Sequence, residues 1–229
     1  MQKIYNLIAT IFIGLLLACG TSCGTKVRFG QWEVENYPTN NASLSWVKFR
    51  WTTTDAGGKH FEKSAMFIPA RIEGLPYDFQ FQFDLGSNIT LLNSNTLRSI
   101  LTKHPESDRM LQENIFRDLT LSFGNTKATT EYCYVMENYG EKLSADRLTD
   151  TVPIRIGSIG ADMFQNKILV IDYPNQRFAI CDTLPDYLQT RFVKITLDED
   201  GRAILPLQIG NKTYRTMFDN GASLFPLIV

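Results

Sequence analysis

The sequence predicts a mainly β fold, and three observations carry that prediction. Apolar and polar residues alternate over short runs: in Tyr77–Phe83, the residues Tyr77, Phe79, Phe81 and Phe83 share one face, while Asp78, Gln80 and Gln82 share the other. Turn-forming residues separate these runs, at Gly74-Leu75-Pro76, Gly124-Asn125, Pro174-Asn175 and Gly210-Asn211. One short element also occurs twice, an apolar strand running into Asp-x-Gly and then a second apolar strand, centred on Asp84 and on Asp219.

Taken in order, Trp46–Trp51 alternates as a half-buried strand should, and Ala65–Ile72 reads as another strand that turns at Glu73-Gly74. Tyr77–Phe83 leads into Asp84, and Ile89–Leu92 follows as a short strand. Asn93–Glu113 is the best helical stretch, with Leu97, Ile100, Leu101 and Leu111 apolar; His104-Pro105 splits it, because proline cannot continue a helix from within. Asp118–Phe123 and Thr129–Val135 read as two strands around Gly124-Asn125, and the polar run Asn138–Asp150 as a loop. Ile154–Gly160 precedes a short helical piece, Ala161–Phe164. The strands Ile168–Tyr173 and Arg177–Ile180 close the unit. The pattern then restarts with Phe192–Leu197, Ala203–Ile209 and Tyr214–Phe218, the last running into Asp219.

With 44% hydrophobic residues in a chain of 229, there is enough apolar surface for a real core. The net charge is −1, with acids and bases mixed, so nothing offers the basic stripe that phosphate neutralisation needs, and nucleic acid is not an expected partner. The only histidines, His60 and His104, sit in no ligand-spaced cluster; no metal site is expected, and a Ser-His-Asp arrangement has little to draw on.

Lys3 followed by the apolar run Ile4–Ala18 reads as a signal peptide over residues 1–18, since it is shorter than the roughly 20 apolar residues a membrane span needs. The run ends Leu16-Leu17-Ala18-Cys19, which resembles the lipobox of bacterial lipoproteins. That resemblance implies cleavage before Cys19, lipidation of its thiol and attachment to a membrane of the cell envelope, on the periplasmic or the surface face. An ordinary signal peptide cut near Ala18 is the plainer alternative, and Cys23 is a poorer second candidate for lipidation. Residues 19–45 then form the lipidated N-terminus and a tether. Cys133 and Cys181 remain in the folded part, where they either pair or stay as free thiols.

The two copies of the repeat match in order. Ile68-Pro69, Ile72-Glu73-Gly74 and Tyr77 lead to Phe83-Asp84-Leu85-Gly86-Ser87, and Leu205-Pro206, Ile209-Gly210-Asn211 and Tyr214 lead to Phe218-Asp219-Asn220-Gly221-Ala222. A lone Asp-x-Gly is common turn chemistry. Two copies in matching strand context resemble the pepsin-like and retropepsin-like aspartic proteases, whose signature is hydrophobic-Asp-Thr-Gly-Ser/Ala with a hydrophobic-Gly element downstream. Here Ile159-Gly160 looks like that element, and the resemblance covers roughly residues 60 to 229.

The resemblance implies an acid-protease β-barrel lobe over residues 46–185 and the start of a second lobe over 190–229. It implies that Asp84 and Asp219 form a dyad that shares one proton and activates water, with no cofactor, metal or covalent intermediate. The substrate would be a peptide or protein in an extended conformation. Ser87 could hydrogen-bond its own lobe's carboxylate, whereas Ala222 cannot. The family places Thr or Ser after each Asp, and their hydroxyls tie the two loops together; Leu85 and Asn220 stand there instead. On this reading Leu85 offers no hydrogen-bonding atom and Asn220 is a poor copy of a hydroxyl, leaving backbone groups unpaired at roughly 1–3 kcal/mol each. Only 10 residues follow Asp219, so the second lobe reads as truncated. The alternative is a natural single lobe, in which two chains each supply one Asp as a homodimer. Tyr132, Tyr134 and Tyr139 lie in the interval where a flap would be expected, though aromatic residues in strands more often serve packing. Three functional readings stand: an endopeptidase, a catalytically inactive surface lipoprotein that kept the cleft and binds peptide or another ligand, and a structural β-lipoprotein whose Asp-x-Gly loops are accidental.

Overall fold

The computed structural model describes residues 39–41, 43–149, 152–188 and 195–221. The expected signal peptide, Cys19, Cys23, most of the expected tether, Ala222 and the residues after it lie outside these. In chain order the first elements are β1 (Thr39–Asn40), β2 (Val47–Lys48), β3 (Arg50–Ala56), β4 (Lys59–Ile72), β5 (Phe79–Phe83), β6 (Leu91–Asn93) and helix α1 (Ser94–Leu101). Next come a 3-10 turn (Pro105–Met110), β7 (Leu111–Gln112), β8 (Ile115–Phe123), β9 (Thr126–Met136), α2 (Ala145–Thr149), β10 (Ile154–Ile159) and a second 3-10 turn (Ala161–Phe164). The chain continues through β11 (Ile168–Asp172), β12 (Arg177–Cys181), β13 (Leu184–Pro185), β14 (Thr196–Leu197), β15 (Ala203–Ile209) and β16 (Lys212–Met217).

The fold is mainly β. Strands β4, β5, β10, β6, β9 and β8 are hydrogen-bonded in that order, and β8 pairs back onto β4 through Ser122–Arg71 and Leu121–Ile72, so the sheet closes on itself. Closure satisfies the backbone groups that an open edge would leave unpaired. The length of β4, 14 residues, is what lets one strand reach β3, β5 and β8. Phe79, Phe81 and Phe83 are each fully buried, as their alternation requires, with Phe116, Phe123, Phe178, Ile68 and Leu92 in the same core. Each contributes roughly 1.5–3 kcal/mol by leaving water.

One feature of the topology sets up the site. The chain passes from β5 through the loop at Asp84 into β6, yet β10 lies between those two strands. It runs parallel to β5, with Ile159 opposite Phe83, and antiparallel to β6, with Ser158 opposite Leu91. The end of β10, Ile159-Gly160, therefore emerges beside the Asp84 loop. A side chain at Gly157 or Gly160 would overlap the Leu91 or Ile89 carbonyl, so this threading demands glycine. Downstream, β14, β15 and β16 form a separate antiparallel sheet, and β16 delivers the chain to Asp219.

Two sequence expectations need correction. Helix over Asn93–Glu113 is realised only as α1; beyond it the chain forms the 3-10 turn that begins at Pro105, then β7. Pro105 lacks the N–H a continuing helix needs, and Leu111 is drawn into pairing with Phe116. The expected loop Asn138–Asp150 contains α2, a short helix anchored by the buried Leu148. Of the two alternatives for the cysteines, the structure has free thiols: Cys133 is buried and Cys181 half-buried.

Candidate active site

The loop after β5 is tied down at every step. The Asp84 amide donates to the Ile159 carbonyl at 3.0 Å, and the Ala161 amide donates to the Ser87 carbonyl at 2.9 Å. Thr90 secures the far side: its hydroxyl donates to the Asp162 carboxylate at 2.8 Å and accepts the Gly160 amide at 3.2 Å. Within the loop, the Gly86 and Ser87 amides both donate to Asp84 Oδ1 at 3.1 Å. The second loop repeats this local pattern, with the Gly221 amide donating to Asp219 Oδ1 at 2.7 Å. The Phe218 amide, donating to the Ala203 carbonyl at 2.8 Å, roots that loop on β15.

The two loops meet within one chain. A Cβ placed on Gly86 would stand 2.5 Å from Asp219 Cγ, and one placed on Gly221 would stand 2.5 Å from Asp84 Cγ. Neither glycine has a left-handed φ. The glycines are thus required for room rather than for a tight turn: each leaves space for the opposite carboxyl. The Asp84 and Asp219 carboxyls thus face each other closely enough to interact.

Two hydrogen bonds cross between the loops. The Leu85 amide donates to Asn220 Oδ1 at 2.7 Å, and Gln82 Nε2 donates to the Gly221 carbonyl at 2.9 Å. The first corrects the sequence reading of this pair. Asn220 is a working acceptor, and the Leu85 backbone is satisfied; the Leu85 side chain turns away and packs on the barrel core. The unpaired group lies instead on Asn220 itself, which is 6% exposed and whose Nδ2 has no hydrogen-bond partner among the described residues. Ser87 also departs from expectation. Its amide reaches Asp84, while its hydroxyl donates to the Ile89 carbonyl at 2.7 Å.

The electrostatics follow from this packing. Burial pushes the Asp84 carboxyl above its ordinary value, and the negative charge of Asp219 pushes it further; the Ser87 amide opposes this, the hydrogen bond to Asp219 adds to it, and the Gly86 amide opposes it again. Beside the site, burial also raises Asp162, against hydrogen bonds from Thr90 and Thr130. Burial, with Asp162 close by, pushes the Cys133 thiol up to about 12, which leaves it protonated and unreactive.

No family model, curated protein or solved structure matches the chain. The geometry alone therefore speaks for the site. It brings together Asp84, Leu85, Gly86 and Ser87, the Ile159-Gly160 element, and Asp219, Asn220 and Gly221. Among the described residues no cluster of His, Cys, Asp and Glu could hold a metal ion. The histidines are engaged elsewhere, His60 with Asp55 at 2.8 Å and His104 with Tyr77 at 3.0 Å. Tyr132 and Tyr134 stand exposed on β9, their rings edge-to-face at 6.0 Å.

Gln82, Thr90 and Asp162 escaped the sequence reading. Gln82 is one of two polar residues on the outer face of β5, and nothing local distinguishes it from Gln80. Thr90 and Asp162 are 72 positions apart, so only the threading of β10 brings them into contact.

Proposed function

We propose that this chain is an aspartic-type endopeptidase of the pepsin and retropepsin kind, with Asp84 and Asp219 as its catalytic pair. A single observation carries the reading. Two Asp-x-Gly loops, fed by separate sheets, bring their carboxyls together, each over the other's glycine. Two carboxyls this close cannot both ionise comfortably, so one proton is shared and the pair titrates as a unit. One carboxyl of the pair holds that proton. The carboxylate without it takes a proton from a bound water as the water oxygen attacks the peptide carbonyl carbon. The protonated carboxyl donates its hydrogen bond to the carbonyl oxygen. Return of a proton to the amide nitrogen then lets the C–N bond break. The substrate is an extended peptide or protein segment lying across the two loops.

The closed barrel with its Asp loop at one end, threaded by the Ile159-Gly160 strand, supports the pepsin-like lobe assignment. The Leu16-Leu17-Ala18-Cys19 run supports a lipid anchor in the bacterial cell envelope. A second reading, a peptide-binding relative without catalysis, draws on Asn220 Nδ2, which has no partner among the described residues: a buried amide with an unpaired donor weakens the frame that holds the pair.

The test is cleavage of unstructured peptides from acid to neutral pH by the parent, Asp84→Asn and Asp219→Asn. Endopeptidase activity predicts cleavage by the parent and none by either variant. Parent protein that binds peptides without cutting them would favour the second reading. Cleavage that survives both substitutions would remove the dyad assignment.

A further inference from the structure

The proposed mechanism needs the two carboxyls held in register, yet the loops lack the paired hydroxyls that the resembled family uses for this. The described residues contain two hydrogen bonds that cross between the loops, and both are unequal ones. One runs from a backbone amide, Leu85, to a side chain, Asn220. The other runs from a side chain, Gln82, to a backbone carbonyl, Gly221. Their geometry is complementary. Gln82 stands two residues before Asp84 on β5, and Leu85 one residue after it. They grip the second loop at consecutive residues, Asn220 and Gly221, immediately after Asp219.

We infer that Gln82 and Asn220 form a two-point clasp that positions the carboxyl pair, with Gln82 a positioning residue rather than a surface side chain of β5. The first loop holds Gly221 by its backbone, which fixes how close that glycine lies to Asp84. The second loop holds Leu85 by its backbone, which fixes the approach of Gly86 to Asp219. Each bond therefore controls one of the two carboxyl-over-glycine contacts. The clasp is lopsided because Leu85 has no polar side chain to answer Asn220, whose buried Nδ2 finds no partner among the described residues. Its second arm runs the other way, from Gln82 of the first lobe to the Gly221 carbonyl.

This inference rests on the dyad reading, but its test does not need turnover. Gln82→Leu and Asn220→Leu keep volume and remove one arm each; Asn220→Thr restores an acceptor for the Leu85 amide. The first readout is hydrogen exchange of the Leu85 amide. The second is the titration of Asp84 by carboxyl NMR, where Asp219 is the charged group facing it and the Ser87 and Gly86 amides are its other partners. Asn220→Leu should abolish protection at Leu85, and Asn220→Thr should recover it. Gln82→Leu should shift the Asp84 titration toward the ordinary aspartate range, as Asp219 moves off. Where the parent cleaves peptide, Gln82→Leu should lower kcat roughly a hundredfold with KM little changed, as a misplacement near 1 Å does. Parent and Gln82→Leu proteins with the same Asp84 titration, or Leu85 protection that survives Asn220→Leu, would overturn the clasp. Should Asn220→Leu not fold, Gln82→Leu at its half-buried site decides alone. An intact clasp in a parent that never cleaves would overturn the peptidase reading and leave the clasp standing.

Discussion

Gly86→Ala tests the meeting of the two loops most directly. The added methyl carbon would stand 2.5 Å from Asp219 Cγ, 2.8 Å from Oδ2 and 2.9 Å from Cβ. Packed carbon atoms prefer about 3.5 Å, so the opposing carboxyl must retreat by about 1 Å. The obstacle is the short, root end of an aspartate that its own loop amide already holds at 2.7 Å, so rotation of the side chain does not relieve the clash. The loops must separate instead. Overpacking of this kind costs about 1–3 kcal/mol, and for a chain of this size each kcal/mol lowers the melting temperature by about 2–4 °C. On the proposed peptidase reading, cleavage should fall by roughly a hundredfold, since a displacement near 1 Å spoils the approach of reacting atoms. Thermal denaturation, cleavage kinetics and carboxyl NMR of Asp84 measure the three effects. The Asp84 titration should move down, because the charge of Asp219 is withdrawn while the barrel that buries Asp84 is untouched. A Gly86→Ala protein with parental melting temperature and an unshifted Asp84 would refute the reasoning, because an alanine methyl fits only if the loops are not in contact. Gly221→Ala is the mirror experiment, with Asp84 Cγ at 2.5 Å as the obstacle.

The remaining predictions concern charge and packing. Because the folded state raises Asp84 above its unfolded value, it binds more protons than the unfolded chain between those two values. Stability from this group is therefore fully present below the unfolded value and is lost as pH rises through the folded one. Asp84→Asn should accordingly raise the melting temperature near neutral pH and change it little in strong acid; a gain confined to acid would reverse the assigned direction. In the barrel, Phe81→Ala should cost about 3–5 kcal/mol in urea denaturation, whereas Gln80→Ala, on the outer face of the same strand, should cost under about 0.5 kcal/mol. Equal losses from the two would mean that β5 does not present Phe81 to the core.

Local pattern settled a good deal of this protein. The alternation of Tyr77–Phe83 placed Phe79, Phe81 and Phe83 on the core side, because side chains on a strand change face at every residue. Pro105 ended the helix, because the ring leaves no N–H to donate. The recurrence of Asp-x-Gly named Asp84 and Asp219, because the residues that make such a loop are contiguous. Residue pattern alone did not say that these loops touch, and only the family resemblance implied it, since 135 positions separate Leu85 from Asn220 and no periodicity spans that interval. Tertiary structure decided that contact, and with it the purpose of the glycines, which make room for carboxyls rather than bend the chain. It turned Asn220 from a defective hydroxyl into the acceptor for the Leu85 amide. It also drew Gln82, Thr90 and Asp162 into the site. A side chain's partner is fixed by where strands lie in space, and β10, inserted between β5 and β6, brings together residues that the chain order keeps apart.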